Sequence, residues 1–206
     1  MSNELVINST QNGCRIALLN DRRLIEFHQE DGGIQFNVGD IYLGTVRKVV
    51  QGLNAGFIDI GYEKDAFLHY LDLGPQVQSL NKFTKLIQSK KEISTKLIGF
   101  RNELDIDKFG KIGQVLTKNQ NVLVQVVKEP ISTKGPRLSC ELSIAGRYLV
   151  LVPFSNAVNV SKKIGNSSER KRLARLISSI KPENFGVIIR TCLLYTSDAA
   201  DEEDSV

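Results

Sequence analysis

Cysteine and histidine are scarce in this sequence, and their scarcity excludes several kinds of site. The 206 residues contain three cysteines and two histidines. Cys14, Cys140 and Cys192 form no C-x-x-C pair, so their spacing predicts neither a zinc knuckle nor a disulfide framework. His28 and His69 are too few and too far apart to indicate a metal site. We therefore expect no metal ligand in these residues.

Long hydrophobic runs are also lacking. No apolar run approaches the ~20 residues of a membrane-spanning helix, and the N-terminus has no signal-peptide pattern. Hydrophobic residues still make up 41% of the sequence, which is enough for a core and excludes wholesale disorder. We expect a cytoplasmic protein of one or two domains with no membrane segment.

Negative charge is sparse over most of the chain. The net charge is +4, but five carboxylates and no Lys or Arg follow Arg190, so residues 1–191 carry +9. A domain this basic favours polyanions such as RNA, DNA or an acidic membrane surface. The alternative is a solvated basic surface without a ligand.

The first part of the chain favours a hairpin and a further strand. Apolar runs at 4–8, 15–19 and 24–27 predict strands, with turns over 11–13 and at Asn20-Asp21. A loop is expected at 30–33.

Residues 38–142 have the patterns of a small barrel. Strands are predicted at 41–50, around Phe57, around Phe67, at 121–128 and at 137–142. A lysine-rich interruption, residues 72–119, separates the third and fourth strands and has weak helical periodicity over 83–97. Five strands with a long connection at this point predict an OB-type barrel.

Two phenylalanines lie on the polar side of these strands. Because side chains alternate along a strand, the aliphatic residues share one face and the aromatic residues the other. Phe57 is grouped with Ala55 and Asp59, and Phe67 with Asp65 and His69. An outward pair on adjacent strands can stack unpaired bases, at roughly 1–3 kcal/mol per base. The alternative is that another part of the chain covers both rings.

Residues 148–191 predict a small α+β region with strands at 148–153 and 186–191. Asn166 is a predicted N-cap, Glu169 occupies the capping-box position, and Pro182 ends the helix. The predicted core-facing stripe is Leu173, Leu176, Ile177 and Ile180.

The acidic tail, residues 192–206, does not continue the pattern of the chain. It resembles translated sequencing-adapter read-through from environmental gene fragments, and we exclude it from the fold. On that interpretation the natural protein continues beyond Thr191. The alternative is an authentic acidic tail.

The ordered motifs resemble the bacterial ribonuclease E/G family. Residues 40–44, 56–61 and 66–68 resemble its S1-type RNA-binding domain, 142–153 and 186–191 the first and last parts of its 5′-sensor region, and 5–8 the opening strand of its ribonuclease-H-like subdomain. The shorter ribonuclease G type is the more similar of the two.

This resemblance implies a mainly β fold with α+β parts. Residues 1–36 would be the opening strands of an incomplete ribonuclease-H-like subdomain. Residues 37–144 would be a five-stranded S1/OB barrel with the basic insertion 72–119. Residues 145–191 would be part of the 5′-sensor region, and 192–206 the non-native tail.

The resemblance also implies functional residues. In the barrel, Phe57 and Phe67 match aromatic residues that hold RNA, and Lys134 matches a cation that contacts RNA. In the sensor region, Gly146 and Val150 match residues around the terminal nucleotide. Arg190 and Thr191 match the pair that binds the 5′-monophosphate. An arginine fork and a hydroxyl suit phosphate oxygens, and glycine allows close approach. Without the resemblance, Arg190 and Thr191 would be an ordinary strand end.

The implied intact enzyme is a magnesium-dependent endoribonuclease of RNA processing and decay. It would act on single-stranded RNA with a 5′-monophosphate, and it would be a homo-oligomer with a zinc link between subunits. Its catalytic aspartates and zinc-binding cysteines would lie further along the chain, so we expect these residues to bind RNA without cleaving it. The alternatives are a stand-alone S1-type RNA-binding protein and an OB-class binder of single-stranded DNA.

Overall fold

A computed structural model of the chain describes residues 3–10, 13–31, 36–89 and 96–191. The chain forms two compact units, Met1–Gln35 and Phe36–Val206. Several sequence predictions lie outside the described residues: positions 11 and 12 of the first turn, the loop at 32–33, Lys90 and Lys91 of the insertion, and the tail 192–206 with Cys192.

The first unit is a three-stranded antiparallel sheet, in agreement with the predicted hairpin and further strand. Its strands are β1 (Asn3–Thr10), β2 (Gly13–Asn20) and β3 (Arg23–Asp31), in that order. Asp21 and Arg22 connect β2 to β3 with φ values of 45° and 66°. Positive φ at both central residues is what a tight type I′ hairpin requires. The turn is therefore one residue later than predicted.

The second unit contains a closed five-stranded barrel, which confirms the predicted fold class. Its strands are β4 (Ile41–Val50), β5 (Ala55–Asp59), β6 (Ala66–His69), β7 (Asn121–Lys128) and β8 (Arg137–Ser139). They close in the order β4-β5-β6-β8-β7, with β6 and β8 parallel and the other pairs antiparallel. This is OB-fold topology. Helix α1 (Val77–Gln88) lies between β6 and β7 in the chain, within the long interruption.

The barrel interior is filled by the aliphatic residues that the alternation places on one face. Val46, Ile58, Leu68, Val124 and Leu138 have no exposed surface. Burial of such side chains is worth about 1.5–3 kcal/mol each relative to exposure, so the interior holds the five strands together.

The start of helix α1 and the end of strand β8 differ from their predicted positions. Helix α1 begins at Val77 rather than near residue 83, because Val77 and Leu80 add a buried turn that packs into the barrel core. Strand β8 stops at Ser139 rather than at 142. The amide of Cys140 donates to the carbonyl of Asp72, 2.9 Å away, instead of continuing the barrel ladder.

The α+β region follows the barrel. Its strands are β9 (Ile144–Ala145), β10 (Leu149–Pro153), β11 (Val158–Val160) and β12 (Phe185–Ile189), in the sheet order β11-β12-β10-β9. Helix α2 (Ser167–Ile180) packs on one face of this sheet through Leu173 and Ile177.

The start of α2 partly confirms its prediction. The side chain of Asn166 accepts hydrogen bonds from the amides of Ser168 and Glu169, as an N-cap does. Glu169 does not complete a capping box, since its carboxylate instead accepts both hydrogen bonds from Arg172. That ion pair also lowers the pKa of the Glu169 carboxyl.

The predicted apolar stripe of α2 is too wide. Leu176 is 47% exposed and Ile180 is 68% exposed, whereas Leu173 and Ile177 are buried. Only Leu173 and Ile177 of this stripe belong to the buried cluster between the helix and the sheet.

An aromatic cluster joins the α+β region to the insertion of the barrel. Phe83, Phe100 and Phe154 pack with ring centroids 5.4–6.0 Å apart. The buried amide of Asn184 donates to the carbonyls of Leu97 and Phe100 at 3.1 and 2.9 Å. These contacts fix the second sheet against the segment that follows α1. In the described part of the chain, no helix is long and apolar enough to cross a bilayer.

Candidate nucleic-acid interface

The two outward phenylalanines form an aromatic pair on the barrel surface. Phe57 and Phe67 are direct cross-strand partners on β5 and β6, with ring centroids 5.8 Å apart and ring planes at 71°. Both are half-buried, while their neighbours Ile58 and Leu68 are fully buried. Part of each ring therefore stays open to solvent, as the alternation predicts.

Ala55 does not share that exposure, although it lies on the same side of β5. It is fully buried, with Val50 and His69 as its cross-strand partners. A single methyl group does not reach past these larger neighbours.

Cationic side chains flank the aromatic pair on both sides. In the strand register, Lys48 is opposite Phe57, Phe67 is opposite Arg137, and Arg137 is opposite Lys128. Directly opposed residues share a face of the sheet. The five residues therefore form one row across all five strands, which we call the barrel row. Its centre is aromatic and its ends are basic.

Two carboxylates beside the barrel row are held by arginines. Arg137 makes two hydrogen bonds to Asp72, of 2.9 and 3.1 Å. Arg47 donates to Asp59, whose other oxygen accepts from the amide of Gly61 at 2.9 Å. These hydrogen bonds hold the pKa of the Asp59 carboxyl below its usual value. The bond from the Gly61 amide has the larger effect and the bond from Arg47 the smaller.

Lys134 lies on an exposed turn next to the row. Ile131 and Lys134 exchange backbone hydrogen bonds of 3.2 and 3.0 Å across this turn. The carbonyl of Pro136 then accepts from the amide of Phe67, 2.8 Å away. A side chain at Gly135 would collide with the backbone of Asp65, so this glycine allows the turn to lie against the β5–β6 connection.

His69 extends the aromatic surface along β6. Its ring is 6.4 Å from that of Phe67, centroid to centroid, at an interplanar angle of 30°. The Nδ1 atom accepts a hydrogen bond from the amide of Leu71 at 3.2 Å. This bond places the proton of a neutral ring on Nε2, which leaves a donor on the outer edge.

The structure brings Gly146, Val150 and Arg190 together on the second sheet. The guanidinium of Arg190 donates to the carbonyl of Gly146 at 2.9 Å, and its backbone amide donates to the carbonyl of Tyr148 at 2.9 Å. Val150 is opposite Ile188, which lies two residues before Arg190. By strand alternation, the side chains of Val150 and Arg190 therefore lie on the sheet face away from α2.

The surroundings of Arg190 are basic and aromatic. Arg147 lies over the ring of Tyr148, 5.4 Å from its centroid. Gly146 and Arg190 are exposed, and Thr191 is half-buried at the next position. The four sensor residues predicted from the sequence therefore belong to one end of one sheet, whereas Phe57, Phe67 and Lys134 belong to the barrel.

Sequence reasoning did not assign Lys48, Lys128, Arg137 or His69 to the interface, although it grouped His69 with Phe67 on the outward side of the strand. For Lys48 and Lys128 the reason is a register shift in each strand, between Val46 and Lys48 and between Val126 and Lys128. Simple alternation fails across a β-bulge. For Arg137 and His69 the signal was present in the sequence, because strand alternation places each of them on the outward face, next to a buried leucine.

Comparison with known proteins shows that the sequence is similar to ribonucleases. The model of the ribonuclease E/G family matches residues 143–204. This range extends into the segment 192–206, whose non-native origin stays a prediction.

Relatives match a larger part of the chain. Ribonuclease G of Haemophilus influenzae is 36% identical over 200 residues, 97% of this chain and 36% of that protein. Ribonuclease G of Escherichia coli K12 is 34% identical over 205 residues, 100% of this chain and 38% of that protein. Ribonuclease E of Nostoc is 39% identical over 155 residues, 75% of this chain and 19% of that protein. The chain thus spans little more than a third of the ribonuclease G relatives.

Proposed function

On the premise that the chain belongs to the ribonuclease E/G family, we propose that it is the RNA-binding and 5′-monophosphate-sensing portion of an endoribonuclease. The enzyme would be specific for single-stranded RNA and would act in RNA processing and decay. The barrel would hold unpaired nucleotides, and the second sheet would hold the 5′ end.

The observation that carries the proposal is the barrel row. Base stacking needs an exposed ring face, and RNA binding needs cations that follow the phosphate backbone. Phe57 and Phe67 supply partly exposed rings, and Lys48 and Lys128 continue the same row. An unpaired nucleic acid alternates flat bases with negative phosphates in this way, and the ribonuclease relatives favour RNA over DNA as that strand.

The end of the second sheet supports the sensing part. A terminal monophosphate is more highly charged than an internal linkage, and an arginine fork can bond two of its oxygens. Arg190 is exposed, and the Gly146 carbonyl accepts a hydrogen bond from one nitrogen of its guanidinium. We infer that it turns its other donors to the phosphate, with Thr191 beside it as a hydroxyl donor.

Cleavage is assigned to residues outside this chain's two sites. Among the described residues, no group of three or more His, Cys, Asp or Glu side chains could hold a metal ion. The magnesium dependence, the oligomeric state and the cytoplasmic location stay predictions from the family resemblance.

The test of RNA binding is removal of both rings. Phe57→Ala/Phe67→Ala should weaken binding of a single-stranded oligoribonucleotide by roughly 2–6 kcal/mol, since each stacked base is worth roughly 1–3 kcal/mol. Fluorescence anisotropy titration measures the affinity, and circular dichroism checks the fold of each variant.

Phe109→Ala is the matched control, because Phe109 is 88% exposed on the insertion and lies outside the barrel row. It should bind RNA as the parent chain does. A folded double variant with parental affinity would refute the stacking role. Magnesium-dependent cleavage by the purified chain would refute the assignment of catalysis to other residues.

A further inference from the structure

A basic groove lies beside the barrel row, at the edge of β4. It has a volume of about 600 Å³ and runs between the end of β4 and the segment 113–118. Arg47, Lys48 and Lys118 line it, over an apolar floor that includes Val49 and Leu116. Among the described residues that line the groove there is no carboxylate. Its chemistry therefore suits an anion with some apolar surface.

A β-bulge directs two consecutive cations to this side of the barrel. Val46 is fully buried opposite Ile58, and the register then shifts so that Lys48 is opposite Phe57. In a regular strand, Arg47 and Lys48 would point to opposite faces. The extra residue lets both lie exposed. Bulges of this kind often re-aim side chains beside functional sites.

A tight turn fixes the opposite wall. Val46 donates to the carbonyl of Gln120 at 2.9 Å and accepts from the amide of Asn119 at 2.8 Å. The side chain of Gln120 accepts from the amide of Thr117 at 3.1 Å. The turn is thus anchored to β4 at the residue that begins the bulge, and Lys118 is carried on its exposed side.

Two of the three cations have their charge available. Arg47 is paired with Asp59. For Lys48 and Lys118, the described residues provide no ion pair or side-chain hydrogen bond. Neighbouring strands are about 4.8 Å apart, so Lys48 is one strand away from the ring of Phe57.

We propose that this groove binds one phosphate of single-stranded RNA through Lys48 and Lys118, next to the nucleotide whose base stacks on Phe57. The inference rests on the proposed function, because it assumes that RNA lies across the barrel row. It makes the groove a binding subsite for one phosphodiester. It also predicts the path of the bound RNA, from Phe57 towards β4 and the turn 117–120.

The test uses the full chain and a labelled oligoribonucleotide of about 12 nucleotides, within the range of OB-fold site sizes. Lys48→Gln/Lys118→Gln should raise Kd about tenfold at low salt, because a charge-assisted contact to phosphate is lost. The slope of log Kd against log salt should fall by about 0.7, the value for one phosphate of a single strand.

Lys85→Gln/Lys171→Gln is the control with the same change in charge. Both lysines are exposed on helices, Lys85 on α1 and Lys171 on α2, outside the groove and the barrel row. This variant should keep the parental Kd and salt slope. An equal loss of RNA affinity in both double variants would overturn the proposed phosphate site. It would show that the lysines attract RNA only through the overall positive charge of the chain.

A second measurement locates the phosphate. Oligoribonucleotides carrying one neutral methylphosphonate linkage are scanned along the strand. One position should weaken binding by the parent chain and leave Lys48→Gln/Lys118→Gln unaffected.

The two proposals fail differently. If the lysine variant matches the parent chain while Phe57→Ala/Phe67→Ala loses affinity, the groove is rejected and the RNA-binding function is kept. If the parent chain does not bind RNA, both are rejected.

Discussion

At the scale of single residues, the barrel surface shows how charges are neutralised or left free. Asp59 lies on the same side of β5 as Phe57, where an unpaired carboxylate would repel phosphate. The Gly61 amide and Arg47 occupy its two oxygens instead. The same device recurs at Asp72, which Arg137 holds with two hydrogen bonds. The lysines keep their charge for a ligand.

Asp59 yields a prediction about stability and pH. Its partners hold the carboxyl pKa in the folded protein below the ordinary 3.8. The stabilisation is therefore complete above about pH 5, begins to fall near the unfolded pKa, and is lost as the pH falls through the lower, folded pKa. Because the Asp59 side chain is 31% exposed, solvent screens its charge, and we expect these partners to add less than about 1 kcal/mol to the free energy of unfolding.

Urea unfolding followed by circular dichroism at neutral pH and near pH 3 measures this effect. Asp59→Asn should be less stable than the parent at neutral pH, and the difference should shrink on acidification. Asp105→Asn, at an exposed position, serves as the control. A difference for Asp59→Asn that grows towards low pH would contradict the assignment.

At the scale of elements, β4 combines an obligatory glycine with a bulge. A side chain at Gly44 would begin 2.5 Å from Cγ2 of Ile58 and 3.0 Å from Cγ2 of Ile60. The glycine therefore lets β4 approach the aliphatic face of β5 closely. Four residues later, the bulge turns Lys48 to the outer surface opposite Phe57. The strand thus serves the core at one end and the candidate interface at the other.

Gly44→Ala should destabilise the barrel by about 1–3 kcal/mol, because the added methyl overpacks a closed core. Thermal unfolding followed by circular dichroism checks this value. Gly52→Ala is the control, since a side chain at Gly52 would meet no atom within 4 Å. It should change stability by less than about 1 kcal/mol. Equal effects of the two substitutions would contradict the packing role of Gly44.

At the scale of the whole molecule, two candidate sites lie in one compact unit. The barrel carries the aromatic row, and the second sheet carries Arg190 with the Gly146 carbonyl. The cluster of Phe83, Phe100 and Phe154 packs the two regions together. On the proposed function, one RNA strand would engage a 5′-end site and a single-strand site at the same time, which would raise the overall affinity without new contacts.

Sensing of the 5′ end yields a prediction at this scale. An oligoribonucleotide with a 5′-monophosphate should bind about tenfold more tightly than its 5′-hydroxyl counterpart, as one charge-assisted contact would provide. Arg190→Gln should remove this preference and leave the affinity for the 5′-hydroxyl oligonucleotide unchanged. Competition titrations by anisotropy measure both.

Arg175→Gln is the control, because Arg175 is exposed on α2 and has no predicted role in sensing. It should keep the full preference for the monophosphate. Equal binding of the two oligonucleotides by the folded parent chain would remove the sensor assignment and leave the barrel proposal intact.

Local patterns in the sequence were sufficient for much of the fold. The alternation around Phe57 and Phe67 predicts their exposed side, and Asn166 predicts the first turn of α2, because both depend on a few adjacent residues. The stripe of α2 was predicted too wide, since Leu176 and Ile180 could be judged only once the extent of the covering sheet was known. The start of α1 was missed for the same reason.

The sequence by itself determined the barrel, its outward aromatic pair and the basic character of the chain, because strand periodicity, glycine positions and charge are properties of neighbouring residues. Only the tertiary structure decided which cations lie at the aromatic pair or line the groove beside it, and what the side chain of Arg190 contacts. Lys48 reaches that surface through a bulge, Lys118 through a turn anchored to β4, and Arg190 meets Gly146 across the second sheet. Each of these placements depends on hydrogen bonds between segments far apart in the chain, which no local pattern records.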